Sequence, residues 1–165
     1  FRFLISFAAV WLLLGNVLAA AGSSAGPLYF DRVVDHAGDP YSGLLAHLSS
    51  VHEARGLHAM TIRDQLWANL QAERGFGAIA AMPSVHVAIA VLGAQSARRL
   101  DRRLGALAWL YALGVLVGSV YLGWHYAVDG YVAILATIVI YRMAGPVSET
   151  YWRRVVEPVE RRLSA

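Results

Sequence analysis

GALAWLYALGVLVGSVYLGWHYAVDGYVAILATIVIYRMA, residues 105–144, is the stretch that decides the fold. Gly105–Trp124 is an apolar run of the roughly 20 residues that a membrane-spanning helix needs, and Val128–Ala144 is near the short end of that range. Between them stands one polar island, His125-Tyr126-Ala127-Val128-Asp129. The chain is expected to leave the bilayer, turn, and re-enter at once. Ionisable groups at such depth are costly and are functional candidates by default.

Working outward, a basic turn, Arg98-Arg99-Leu100-Asp101-Arg102-Arg103, precedes this stretch, and another apolar run, Ala78–Ala97, precedes the turn. A second polar island, Met82-Pro83-Ser84-Val85-His86, lies near the start of that run. A further apolar run, Phe3–Ala21, opens the sequence. Ala19-Ala20-Ala21 resembles a small-residue cleavage site, but the run exceeds the roughly 7–15 residues of a signal core and reads as a span. The expected fold is therefore all-α: a polytopic transmembrane bundle of about four spans. Composition agrees. Of the 165 residues, 58% are hydrophobic and 15% charged, with mean hydropathy +0.49. Soluble domains carry roughly 25% charged residues.

With no cysteine there is neither a disulfide framework nor a thiolate site. All 14 basic residues are arginine, which reads as compositional bias. Net charge is only +3, and no nucleic-acid partner is expected. The position of the arginines matters more. Arg2, the turn at 98–103, and Arg142, Arg153, Arg154, Arg161 and Arg162 fall on one side if the chain crosses four times. The positive-inside rule makes that side cytoplasmic. Both polar islands then reach the opposite face, which in a bacterial-type inner membrane is the periplasmic one.

The membrane domain is read as 1–145 and the basic amphipathic tail as 146–165. The outer connection spans 22–77. Within it, Asp39-Pro40 reads as a helix start. Leu44, Leu45, Leu48 and Val51 follow at helical spacing. Thr61 and Asp64 form a weakened capping box. Ile62, Leu66, Trp67 and Leu70 continue from it, and Gly75 is the expected stop. Two short interfacial helices follow from this pattern, lying on the membrane surface or over the site.

His125 and Asp129 are four residues apart, about 6 Å along a helix axis. A carboxylate accepting from one imidazole nitrogen fixes the tautomer and frees the other nitrogen to attack. An imidazole can give and take a proton near neutral pH, so His86 suits a general acid. Ser84 and the backbone N–H groups of the helix it opens suit phosphate oxygens. Two alternatives stay open on these residues alone: a structural His–Asp pair, or a two-histidine, one-carboxylate metal triad. A third is a non-enzymatic scaffold or a proton- or ion-relay transport subunit. Gly114-Val115-Leu116-Val117-Gly118 is a small-xxx-small pattern, which permits close helix packing and leaves a homo-oligomer open.

Pro83-Ser84-Val85-His86 followed by His125-Tyr126-Ala127-Val128-Asp129 resembles the type-2 phosphatidic acid phosphatase superfamily. The flanking Ala80-Ala81-Met82 and Gly123-Trp124 resemble its inositol phosphorylceramide synthase-like branch. The resemblance implies a lipid phosphatase or headgroup phosphotransferase working through a phosphohistidine, without cofactor or metal. His125 would be the nucleophile, Asp129 its orienter, His86 the acid and Ser84 a phosphate ligand. The expected substrate is a lipid phosphate or phospholipid. The branch often has Gly-Pro-x-Tyr, matched here at Gly26–Tyr29, which makes Tyr29, with Tyr126, a candidate for the substrate pocket. Three departures stand out. Val85 replaces a glycine, Ser119 replaces an arginine, and the lysine-rich first motif has no match. Arg74 and Arg63 are the candidates for the missing cationic phosphate clamp. The family pattern has six spans, so two N-terminal helices are expected to lie outside this sequence.

Overall fold

The computed structural model describes residues 1–22, 24–34, 38–72 and 79–159. The chain is all-α, with seven helices and no strand among the described residues. In chain order they are α1 (Arg2–Ala21), α2 (Phe30–Val33), α3 (Ser42–Arg55), α4 (His58–Gln71), α5 (Val85–Leu100), α6 (Arg102–Tyr121) and α7 (Ala127–Val159).

Three of these helices, α1, α6 and α7, are long and apolar enough to cross a membrane. The apolar run expected as a fourth span is helical only over the 16 residues of α5. Its upstream part is used otherwise. Ala80 bridges to Ala25, and Ser84 caps the helix by accepting from the Val87 N–H at 3.4 Å. The remaining helix is about 24 Å long. It packs along α6 and against α7 and α1, and so runs the chain back beside a spanning helix.

Asp101 makes the reversal between α5 and α6 sharp. Its carboxylate accepts from the N–H groups of Arg103 and Leu104 at 2.8 and 2.9 Å, satisfying two donors at the helix start. Gly105 lets the two helices meet. A Cβ there would lie 2.6 Å from both Cα and Cβ of Arg98. Lipid tails are as apolar as leucine, so membrane helices associate through close packing, and small residues permit it. The core of the bundle is correspondingly fine-grained, with Val10 and Leu14 meeting Val87, Ala88, Val91 and Ala133.

The last helix does not stop at Gly145-Pro146 but continues to Val159. Pro146 has no N–H to offer the Arg142 carbonyl one turn back. Arg2 supplies donors there, its Nη2 reaching the Arg142 carbonyl at 3.5 Å and its Nε the Tyr141 carbonyl at 2.7 Å. Neighbouring side chains commonly satisfy backbone freed by a membrane proline. Arg99 also lies over the Tyr141 ring, so Arg2, Arg99 and Arg142 gather at one end of the bundle.

The opposite end is covered by α3 and α4. They enclose a second small core of Leu28, Tyr29, Leu48 and Met60 above Leu122 and Trp124. Both helices start elsewhere than the capping pattern predicts. Asp39 accepts from the Tyr41 N–H at 2.8 Å, closing a turn, and α3 begins at Ser42. Thr61 lies inside α4, which begins at His58. Asp64 instead pairs with Arg32 and Arg63. In each case a polar side chain took a different local partner from the one its spacing suggested. Gly75, the expected stop, lies outside the described residues.

Candidate active site

The two polar islands meet at the covered end of the bundle. His86 stands in the first turn of α5 and is exposed, while His125 lies just before α7 and is only 6% exposed. Nδ1 of His86 is 3.3 Å from Nε2 of His125. On the other side of its ring, His125 Nδ1 is 2.7 Å from the Ala81 carbonyl oxygen. A carbonyl only accepts, so Nδ1 carries the proton and Nε2 of the neutral ring presents a lone pair. The proton between the two rings therefore belongs to His86 Nδ1.

Asp129 lies close, but not as a direct partner. Its Oδ2 is 3.8 Å from His125 Nδ1 and accepts the Tyr126 N–H at 2.8 Å. It thereby caps the start of α7 and fixes the chain immediately after His125. The carboxylate is 1% exposed and sits at the Nδ1 edge of His125, away from the gap between the histidines. Among the described residues, no group of three or more His, Cys, Asp or Glu side chains is arranged to hold a metal ion.

Backbone contacts set the position of His125. The Ser119 carbonyl accepts the N–H groups of Trp124 at 3.0 Å and His125 at 3.3 Å. Gly123 turns the chain with φ +72°, a left-handed conformation that glycine adopts without strain. Its carbonyl accepts the Leu28 N–H at 2.9 Å. Gly26 packs directly on Trp124, where a Cβ would lie 2.8 Å from the carbonyl carbon and closer to its oxygen. Ala81 is tied to the same segment, donating to the Ser24 carbonyl at 2.6 Å. Residues 24–29 thus brace both the histidine and the carbonyl that sets its tautomer.

The other expected site residues fall into different places. Ser84 is fully buried and its Oγ accepts the cap bond, so it supports the start of α5. Tyr29 is buried with its ring against Trp67 and Trp124, and its hydroxyl donates to the Arg63 carbonyl at 3.4 Å. Burial pushes that hydroxyl up to about 12, against the lowering effect of Arg63 and Arg32, so it remains a donor. Tyr126 turns its ring toward Tyr41, at 5.9 Å between centroids. Arg63 is held by Asp64, with Nε and Nη2 at 3.0 and 2.9 Å from Oδ1. Arg74 lies outside the described residues. His125 titrates low, chiefly because burial disfavours its charged form; the Ala81 carbonyl and Asp129 oppose that, and His86 adds to it.

Two cavities share the histidine pair. One, of about 520 Å³, lies beneath α4, with Ile62, Leu66, Gly118, Ser119 and Trp124 among its walls. The other, of about 700 Å³, runs between α1, α5 and α6. His86 and His125 line both. No arginine lines either one among the described residues. Ser84, Tyr29, Tyr126 and Arg63 are not wall residues of these two cavities.

Sequence reasoning missed the carbonyls of Ala81 and Ser119, because a backbone acceptor has no residue signature. It also missed the bracing role of Gly26, for which Gly26-Pro27 was the available signal.

A membrane helix bundle with a facing histidine pair between apolar cavities is the class that fold and site define. The chain belongs to the PAP2 superfamily, whose family model matches residues 1–143. Membership points to a phosphatase or phosphotransferase. No curated protein and no solved structure matches the chain significantly.

Proposed function

We propose that this protein is an integral-membrane lipid phosphatase or lipid headgroup phosphotransferase working through a phosphohistidine on His125. The observation that carries the proposal is the 3.3 Å approach of His86 Nδ1 to a His125 Nε2 whose partner nitrogen is tied to the Ala81 carbonyl. A substrate phosphate replaces the hydrogen bond between the two histidines, the exposed His86 ring moving aside to admit it. Nε2 of His125 attacks phosphorus, and the bond from phosphorus to the lipid oxygen breaks. The His86 Nδ1 proton passes to that oxygen. Water or an alcohol then attacks the phosphoryl group, giving its proton to His86 as the N–P bond breaks. Acid and base thus alternate on one ring.

Asp129 acts as a positioning residue and favours positive charge developing on His125. Ser84 presents the start of α5 to the phosphate. Arg74 and Arg63 are the proposed cations for its oxygens, the latter once released from Asp64. Tyr29 and Tyr126 support the pocket wall. Val85 and Ser119, where the phosphatase branch has glycine and arginine, favour the transferase-like branch. The arginine cluster at the far end of the bundle supports a site on the periplasmic face. Labelling of a cysteine placed at Ser49 by an impermeant reagent in intact cells tests that orientation, and protection until permeabilisation reverses it.

The deciding experiment measures phosphate release from phosphatidic acid and polyprenyl diphosphate, together with trapping of an acid-labile phosphoenzyme. His125→Ala is expected to lose about 10³-fold or more in kcat, as removal of a nucleophile does, and to form no phosphoenzyme. Wild-type turnover in His125→Ala would falsify the nucleophile assignment. A protein that shows neither release nor a phosphoenzyme returns the scaffold or relay reading to first place.

A further inference from the structure

The cavity between α1, α5 and α6 is built from three helical stripes. On α5, His86, Ile89, Ala90, Gly93 and Ala94 recur at spacings of three and four and share one face. Trp11, Gly15 and Ala19 do the same on α1, and Ala108, Tyr111 and Val115 on α6. The groove is polar at its histidine end and almost wholly apolar away from it. From His86 to Gly93 it descends seven residues, about 10 Å, alongside the spanning helices. Alanine and glycine keep it open along the far half of the α5 stripe. A Cβ added at Gly93 would meet nothing within 4 Å, so no packing demand accounts for the missing side chain there. The other cavity lies under α4 and along the α6 face from Leu122 to Val115, and takes no wall from α1 and none from α5 beyond His86.

We infer that this groove takes the hydrocarbon chain of the phosphorylated substrate, and that Gly93 is the position that sets how much chain is admitted. The inference rests on the reading that the phosphate is handled at the histidine pair. The polarity of the groove selects the occupant: an amphiphile with its phosphorylated end at the histidines and an apolar chain along the helices. The phosphate faces His86 and His125, and the chain lies against Ala90, Gly93 and Ala94. A leucine at 93 would reach into the passage two turns below the histidines and block it.

The test uses non-hydrolysable alkyl phosphonates of increasing chain length, with the full chain in nanodiscs, and needs no turnover. Counted per phosphonate already partitioned into the disc lipid, binding should tighten with each added methylene through close packing in the groove, until the chain passes Gly93. In Gly93→Leu the gain should end at shorter chains, with long-chain phosphonates at least about tenfold weaker than in the wild type. Gly118→Leu fills the other cavity from a position where an added Cβ also meets nothing within 4 Å, and should leave the chain-length profile unchanged. An identical profile in Gly93→Leu, or a shift produced by Gly118→Leu instead, overturns the inference.

A second readout on the unmutated protein guards against misfolding of the variant. A phosphonate with a photoreactive terminal carbon should label the stretches around Gly93 and Ala108, and labelling confined to Ala59–Leu66 overturns the inference. Because binding alone is read, the two ideas fail separately. A chain-length profile without phosphate release defeats the phosphohistidine function and leaves the groove standing. Phosphate release with a flat profile does the reverse.

Discussion

Gly26→Ala tests whether residues 24–29 hold the geometry of the proposed catalytic pair from outside it. The added Cβ would lie 2.8 Å from the Trp124 carbonyl carbon and 3.1 Å from the Gly123 oxygen, where ordinary contact begins at 3.4 Å. The neighbour is backbone and has no rotamer to change. The Gly123–Trp124 peptide or the 24–29 segment must therefore retreat by roughly 1 Å, including the still closer carbonyl oxygen. Overpacking of this kind costs about 1–3 kcal/mol. His125 is the next residue and shares the Ser119 carbonyl with Trp124, so the displacement reaches the 3.3 Å gap between the rings. A misplacement of about 1 Å costs catalysis on the order of 10²-fold. The assay is phosphate release from substrate vesicles, alongside thermal unfolding in detergent. We expect kcat to fall about a hundredfold, KM to change little, and Tm to drop by several degrees. Activity within twofold of wild type and an unshifted Tm would refute the bracing argument.

Three further outcomes follow from the same geometry. Asp129→Asn keeps an oxygen for the Tyr126 N–H and removes the charge 3.8 Å from His125. Steady-state kinetics should show about a tenfold fall in kcat, with the unfolding midpoint near wild type; Asp129→Ala should also lose about 1 kcal/mol of cap stability. Burial holds His125 below the ordinary value of 6.5. Its neutral form, the proposed nucleophile, should persist below that pH, and the acid limb of kcat/KM should lie under 6.5. The sign for stability is the same: its contribution is present above 6.5 and is lost as pH falls toward the lowered pKa, which unfolding curves against pH will show. Gly105→Ala places a Cβ 2.6 Å from Arg98 backbone. It should cost about 1–3 kcal/mol in chemical unfolding without changing KM.

Much of this protein was legible in local sequence. Apolar run length marked α1, α6 and the start of α7, because a bilayer fixes how many residues a crossing needs. The arginines of 98–103 and Arg2 indicated which helix ends lie together, and Arg2 and Arg99 do meet on Tyr141. His86 and His125 were legible as a pair because ionisable groups beside apolar runs are rare. Local pattern failed where polar groups had a choice of partner. Asp64 serves Arg32 and Arg63 instead of a cap.

By itself, the sequence determined an all-α membrane chain and marked the two histidines proposed to transfer a phosphoryl group. Both are properties of composition and spacing. Only the tertiary structure decided that His125 presents Nε2 to His86, since the fixing partner is the Ala81 carbonyl and every residue has a carbonyl. It also decided that Ser84 and Tyr29 are buried supports, and that an open groove descends from the histidines past Gly93. Burial and empty space arise only when helices distant in sequence are packed together, so neither is written at any single position.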